Sequence, residues 1–310
     1  MKIAIIGQQD FGKAVLEAFL ARGDEVAGVF VALDKEGAKP DPLKVAAQEA
    51  GLKVLQFASY RKPEAQQALR ELNVDLGVMA YVLLFAPQEF VTIPQHGTIQ
   101  YHPSLLPRHR GPSSINWPII QGSTRTGLTI FRPDDGLDEG PVILQKECDI
   151  GPDDTLGSVY FERLFPLGIK AMLEAADIVV AGKHTEAMQD ESLASYEGWC
   201  RAAEARIDWA KPVAQVYNLI RGCNPAPGAW TTLNGKKLQI FDARRVTFRR
   251  FADVIGKIGE VNEVTAQGFK VTVQGGAIEV LKARFEDGKK LGGGELAQAS
   301  GIKAGTLLGT

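Results

Sequence analysis

The sequence predicts an α/β protein with a parallel-rich sheet, followed by a second, all-β domain. Two observations carry this reading. Through the first two thirds of the chain, short apolar runs bounded by turn residues alternate with stretches of helical period, the pattern of a parallel sheet with helices on both faces. After that, closely spaced short strands punctuated by Gly and Pro take over, a spacing suited to a small barrel.

Residues 3–6 read as a buried strand, 11–20 as a helix, 25–31 as a second strand and 42–50 as another helix. The alternation continues with strands at 53–55, 75–80 and 97–101 and a helix at 63–72. Residues 127–131 and 142–148 add two strands, and 155–181 reads as one long helix that closes the domain. Residues 184–205 are polar and weakly periodic, as expected of a linker crossing the surface. A helix at 212–221 and a Gly- and Pro-rich stretch at 222–228 precede strands at 229–232, 237–241, 258–264, 269–273 and 278–283. The small residues of 301–310 are expected to fray. The expected domains are therefore 1–204 and 205–310, with no internal repeat.

Composition narrows the function classes. Of the 310 residues, 45% are apolar and 23% charged, ordinary values for a folded globular protein. A net charge of −2 gives no general electrostatic reason to bind nucleic acid or an anionic membrane. Cys148, Cys200 and Cys223 are few, odd in number and widely spaced, which fits a reducing, cytoplasmic compartment better than a disulfide framework. The opening apolar run stops at Gly7-Gln8-Gln9-Asp10, short of an export signal, and no segment approaches the roughly 18 apolar residues of a membrane span. No membrane partner is expected.

Four features bear on chemistry. Gly7 to Gly12 follows a strand and opens a helix, the setting of a dinucleotide loop, but it lacks the middle glycine that lets a pyrophosphate approach. A tight turn is the expectation. His102 stands where Pro103 ends a strand, at the carboxyl end where open α/β sheets build their ligand crevices, and Gln100 projects to the same side. Asp138, in Asp134-Asp135-Gly136-Leu137-Asp138-Glu139-Gly140, lies between glycines that let the backbone fold tightly, and a carboxylate near a histidine fixes its tautomer. Asp134, Asp135 and Glu139 read as a solvated turn. Arg108 and Arg110, around His109, suggest a phosphate clamp, although solvation on a loop is the weightier reading. The histidines and cysteines show no metal-ligand spacing, so no metal is expected.

The run Tyr101-His102-Pro103-Ser104-Leu105-Leu106-Pro107-Arg108-His109-Arg110-Gly111, with Gly136-Leu137-Asp138-Glu139-Gly140, resembles the formyltransferase family that uses 10-formyltetrahydrofolate. The likeness is greatest to the branch found as the hydrolase domain of 10-formyltetrahydrofolate dehydrogenases, and the chain is also similar to methionyl-tRNA formyltransferases. Ile207-Asp208-Trp209 and Pro227-Gly228-Ala229-Trp230 support it in the second domain. The resemblance implies a Rossmann-like formyltransferase domain followed by an OB-like barrel. It also implies 10-formyltetrahydrofolate as formyl donor and tetrahydrofolate as product. It assigns the chemistry to His102 and Asp138, the folate pocket to Ser104, Leu105, Leu106, Pro107 and Asp138, and the pterin site to Leu84, Phe85 and Ala86.

Transferases of this family usually carry Asn two residues before the histidine, and the dehydrogenase hydrolase domain an aliphatic residue; here the position is Gln100, whose carboxamide is a candidate donor to an oxyanion. Water, an amino sugar and methionyl-tRNA are the candidate acceptors. The segment 34–42, where tRNA formyltransferases carry a long basic insertion, is short and nearly neutral, which weighs against tRNA. Arg244, Arg245, Arg249 and Arg250 form a basic cluster whose expected role is a solvated loop. Two rivals stand outside the family. A dinucleotide-dependent oxidoreductase needs a nucleotide on the Gly7 turn. A single-strand nucleic-acid module needs exposed aromatics, whereas Phe241, Phe248, Phe251, Phe269 and Phe285 fall within or beside strand patterns.

Overall fold

The computed structural model describes residues 1–248, 250 and 253–310. By internal contacts the chain divides into two compact units. The first comprises Met1–Gly111, Gly127–Cys148 and Phe161–Tyr196; the second comprises Pro112–Thr126, Asp149–Tyr160 and Glu197–Thr310.

The first unit is built on strands β1 (Lys2–Gly7), β2 (Glu25–Ala32), β3 (Val54–Phe57), β4 (Leu76–Ala80), β5 (Thr98–His102), β6 (Arg125–Phe131) and β7 (Val142–Asp149). Their order across the sheet is β3-β2-β1-β4-β5-β6-β7. β1 to β5 pair in parallel, and β6 runs antiparallel to β5, so the sheet is parallel-rich rather than wholly parallel.

Helices α1 (Gln9–Arg22), α2 (Pro42–Glu49), α3 (Pro63–Leu72), α4 (Gln88–Val91) and α7 (Phe165–Val180) belong to this unit. Strand alternation sends Ala4 and Ile6 to one face, where they join Phe30, Leu69, Met79 and Phe90 in a core under α3 and α4. At Tyr101 the opposite face meets Phe11 of α1, ring centroids 4.3 Å apart. The Gly7 turn is tight: a Cβ there would collide with the Ala80 carbonyl. The Gln9 amide, at the start of α1 where a dinucleotide phosphate would dock, already donates to the Asp41 carboxylate at 3.0 Å.

In the second unit, β8 (Ala229–Leu233), β9 (Lys236–Thr247), β10 (Val261–Val264), β11 (Phe269–Val273), β12 (Gly276–Phe285) and β13 (Leu291–Gly292) form a six-stranded sheet. Its pairings are antiparallel. Leu238, Ile240, Val271, Ile278 and Val280 share a core with Val216 and Ile220 of α8 (Val213–Gly222) and Leu296 of α9 (Gly293–Ser300). α5 (Asn116–Ile120) packs on α8, where Asn116 donates to Gly222 O at 2.9 Å.

Several expectations are corrected. The long helix at 155–181 is three segments: a short turn α6 (Leu156–Ser158), a π-helical turn (Val159–Leu164) and α7. Pro166 in the first turn of α7 explains the widened turn, since its ring clashes with the carbonyl four residues back and it has no N–H to give. The tail 301–310 does not fray. Ile302 and Leu308 are buried, and the backbone bonds back to Thr232, Gly259 and Val261. The strand expected at 258–264 begins only at Val261, and α4, α5 and α9 are too short or too Gly-rich to show a period in the sequence. The solvated loop expected at Arg244 and Arg245 is instead part of β9, paired with β12, and Arg244 pairs with Glu279 at 3.3 Å; Phe269 and Phe241 are buried, and Arg249 and Phe251 lie outside the described residues.

Candidate active site

His102 is the last residue of β5, and its backbone pairs with Thr129 of β6. The side chain is 5% exposed. Its Nε2 lies 2.9 Å from the His109 carbonyl. A carbonyl only accepts, so Nε2 carries the hydrogen and Nδ1 is the nitrogen left for chemistry. Nδ1 faces Asp138 Oδ2 at 3.5 Å, and Asp138 is 8% exposed. The same Oδ2 accepts from Gly111 N at 2.9 Å. A proton arriving between Nδ1 and Oδ2 is shared by two held groups, the imidazole anchored through Nε2 and the carboxylate through Oδ2 itself.

Asp138 adopts a left-handed backbone, φ +59°. Such a conformation costs a non-glycine residue about 1–3 kcal/mol and persists only where its surroundings hold it. Gly140, two residues on, is required by close approach, because a Cβ there would collide with the Arg132 carbonyl.

Thr129 staples the loop from Ser104 to Arg110 to the sheet. Its hydroxyl donates to Ser104 O (2.7 Å) and accepts from Leu106 N (3.0 Å) and from the Gln145 amide (2.9 Å). Ser104 is fully buried and its hydroxyl donates to Arg108 O at 2.7 Å. Leu106 is buried as well, so Leu105 and Pro107 are the members of this run with surface left to offer.

The solvated reading of the basic pair holds for Arg108, which is exposed, and is corrected for Arg110. Arg110 is 5% exposed and grips Glu191 through two bonds of 3.0 and 2.7 Å. That pairing holds the Arg110 guanidinium above its ordinary range and the Glu191 carboxyl below it. The expected linker at 184–205 is corrected by the same contacts. Ser195 Oγ accepts from His109 N at 2.8 Å, Arg110 N donates to Ser195 O, and the Gln189 amide donates to Asp138 O and Gly140 O. Polar residues that looked solvated are spent on the backbone of the site.

β4 lies beside β5, so the loop after β4 opens onto the same edge of the sheet. It carries Leu84, Phe85 and Ala86. Ala86 is buried, Leu84 half-buried, and Phe85 41% exposed, with the Arg61 guanidinium 4.7 Å from its ring centroid. Gln88 N donates to Asp135 at 2.9 Å, tying this loop to the one that bears Asp138. Tyr81, Leu83, Phe85 and Leu137 are exposed on these two loops and form an apolar rim. A cleft of about 540 Å³ runs alongside, lined by Arg61, Gln66, Phe85, Pro87, Glu89 and Asp135. Another, of about 390 Å³, lies in the second unit and is lined by no charged side chain. Gln100 is half-buried on the same side of β5 as His102, and its carboxamide makes no hydrogen bond among the described residues.

The structure thus brings together His102, Asp138 and the run Ser104 to Pro107, with Leu84 to Ala86 on the neighbouring loop. Thr129, Gln145, Gln189, Glu191 and Ser195 were not foreseen as site residues. Their bonds join positions 16 to 86 residues apart, which leaves no local pattern to read. Among the described residues no group of three or more His, Cys, Asp or Glu is placed to hold a metal, and no helix is long and apolar enough to cross a membrane.

A parallel-rich α/β unit with a buried His–Asp pair at the carboxyl edge of its sheet, followed by an antiparallel β unit, is an α/β class of fold, in which ligand crevices form at that edge. Residues 1–176 match the family described as Formyl transferase, and residues 200–301 match Formyl transferase, C-terminal domain. The chain belongs to the formyl transferase family. It is 39% identical to the mitochondrial 10-formyltetrahydrofolate dehydrogenase of Mus musculus over 301 residues, 94% of this chain and 32% of the mouse protein. The chain thus spans about a third of the length of that relative. It is 35% identical to the methionyl-tRNA formyltransferase of Geobacter metallireducens over 314 residues, covering 100% of this chain and 99% of the relative. Its fold is similar to the crystal structure of WlaRD, a sugar 3N-formyl transferase solved in the presence of dTDP and 5-N-formyl-THF. The TM-score is 0.68 at 18% identity, over 93% of this chain and 99% of that one.

Proposed function

We propose that this chain removes the formyl group of 10-formyltetrahydrofolate, giving tetrahydrofolate and either formate or a formylated amine, at a site centred on His102 and Asp138. The observation that carries the reading is the buried pair itself, with Nδ1 facing Oδ2 at 3.5 Å at the carboxyl end of β5. Family membership supports the formyl group as the unit transferred. The folate named for the dehydrogenase relative and for the neighbouring structure supports the donor.

The chemistry follows from the residues. A water or amine attacks the formyl carbon, and its proton passes to the His102–Asp138 pair. Negative charge gathers on the formyl oxygen, where the proton taken up at His102 Nδ1 and the Gln100 carboxamide act as donors. Collapse breaks the bond from the formyl carbon to the folate N10, and the proton held by the pair goes to that nitrogen. Leu84, Phe85, Leu105 and Pro107 supply apolar surface for the pterin and its linker, while Ser104, Leu106 and Ala86 shape the loops that present it. No metal takes part in this scheme.

The test is turnover of 10-formyltetrahydrofolate by the purified chain with water as the only acceptor, following tetrahydrofolate and formate together. Release of both establishes hydrolysis. Folate binding with release only when an amino sugar or methionyl-tRNA is supplied establishes transfer, and no turnover under any of these conditions overturns the reading.

A further inference from the structure

Asp138 holds a strained backbone at a point where its carboxylate must face His102, and the atoms that hold it there come from a distant stretch of chain. Gln189 Nε2 donates to Asp138 O at 2.9 Å and to Gly140 O at 2.8 Å. Its Oε1 accepts from Arg110 Nε at 3.1 Å and Nη2 at 2.9 Å. Both amide hydrogens and both oxygen lone pairs are in use. The orientation has no alternative, because an arginine can only donate and a carbonyl can only accept. Glu191 fixes the guanidinium in turn, accepting one bond from Nη1 and one from Nη2.

We propose that Gln189 is the positioning residue of the site, clamping the carbonyls on either side of Glu139 so that Asp138 keeps its left-handed turn and its carboxylate stays aimed at His102. The proposal rests on the reading of Asp138 as the group that handles the nucleophile's proton. Gln189 Nε2 donates to backbone carbonyls and not to the Asp138 carboxylate, so its hold on the pair is through the backbone turn. A shift of the carboxylate by about 1 Å is enough to cost on the order of 100-fold in rate when a group must meet a reacting atom.

The test compares full-length Gln189→Met, which keeps the volume and loses both donors, with Asp138→Ala. Two readouts are taken: kcat and KM for 10-formyltetrahydrofolate, and the ¹⁵N resonance of His102 Nδ1. In Gln189→Met, kcat is expected to fall about 10- to 100-fold with KM within about twofold. The His102 resonance is expected to move toward its position in Asp138→Ala. Gln189→Glu, which keeps the Arg110 contact and loses the donors, serves as the second variant should Gln189→Met fail to fold, and the same loss of kcat is expected. If Asp138→Ala is inactive while the Gln189 variant keeps wild-type kcat and an unmoved His102 resonance, the positioning role is overturned and the reading of Asp138 stands. If Asp138→Ala itself turns over normally, that reading falls, and the His102 resonance alone decides for or against Gln189.

Discussion

His102 Nδ1 and Asp138 Oδ2 face each other across 3.5 Å, and each partner is held, His102 through Nε2 by the His109 carbonyl and Asp138 through the same Oδ2 by the Gly111 amide. With the hydrogen on Nε2, a neutral His102 turns a lone pair toward the carboxylate. One added proton would satisfy both groups, and the proposed function uses the two as a single proton-holding device.

Groups that act as a unit are non-additive when removed. The double variant His102→Ala/Asp138→Ala is therefore expected to turn over no more slowly than the worse single variant. A full multiplication of the two losses, measured as kcat/KM, would mean that the residues act in separate steps.

Thr129 is fully buried, and its hydroxyl serves Ser104 O, Leu106 N and the Gln145 amide at once. Thr129→Val keeps the shape and strands these groups. An unsatisfied buried polar group costs about 1–3 kcal/mol. Denaturant melts are expected to show a loss of that size together with reduced activity, because the loop that leaves His102 is freed. An unchanged midpoint would show that the loop finds other partners.

The Glu191 carboxyl is held below its ordinary range chiefly by its hydrogen bond from Arg110. A depressed carboxyl contributes stability above its unfolded value of about 4.3 and loses it as the pH falls through the folded value. The difference in melting temperature between the wild-type chain and Glu191→Gln is thus expected at neutral pH and to shrink below about pH 4. A gap that stays constant into acid would exclude the ion pair as its source.

The sequence made the succession of strands along the chain legible, and also the placing of His102 at a strand end and of Asp138 in a glycine-flanked turn, because these depend on local pattern: apolar runs between turns, a proline ending β5, glycines around Asp138. The antiparallel turn into β6 was not legible, since strand direction is set by connection and packing rather than by the strand's own residues. The clamp made by Gln189, Glu191 and Ser195 was hidden for a related reason. A polar side chain that bonds a distant backbone has the same composition as one that faces water. Arg110 shows the point most directly, a loop cation by sequence and a buried ion-pair member in the fold.

The central claim is that His102 and Asp138 carry the removal of the formyl group. The measurement that tests it most directly is the rate of tetrahydrofolate formation from 10-formyltetrahydrofolate by His102→Ala and Asp138→Ala, each checked for its native melting transition, with whichever acceptor the wild-type chain uses. Each rate is expected to fall by about 10²–10⁴-fold, the range for a positioned acid or base. Near-normal turnover in either folded variant would contradict it.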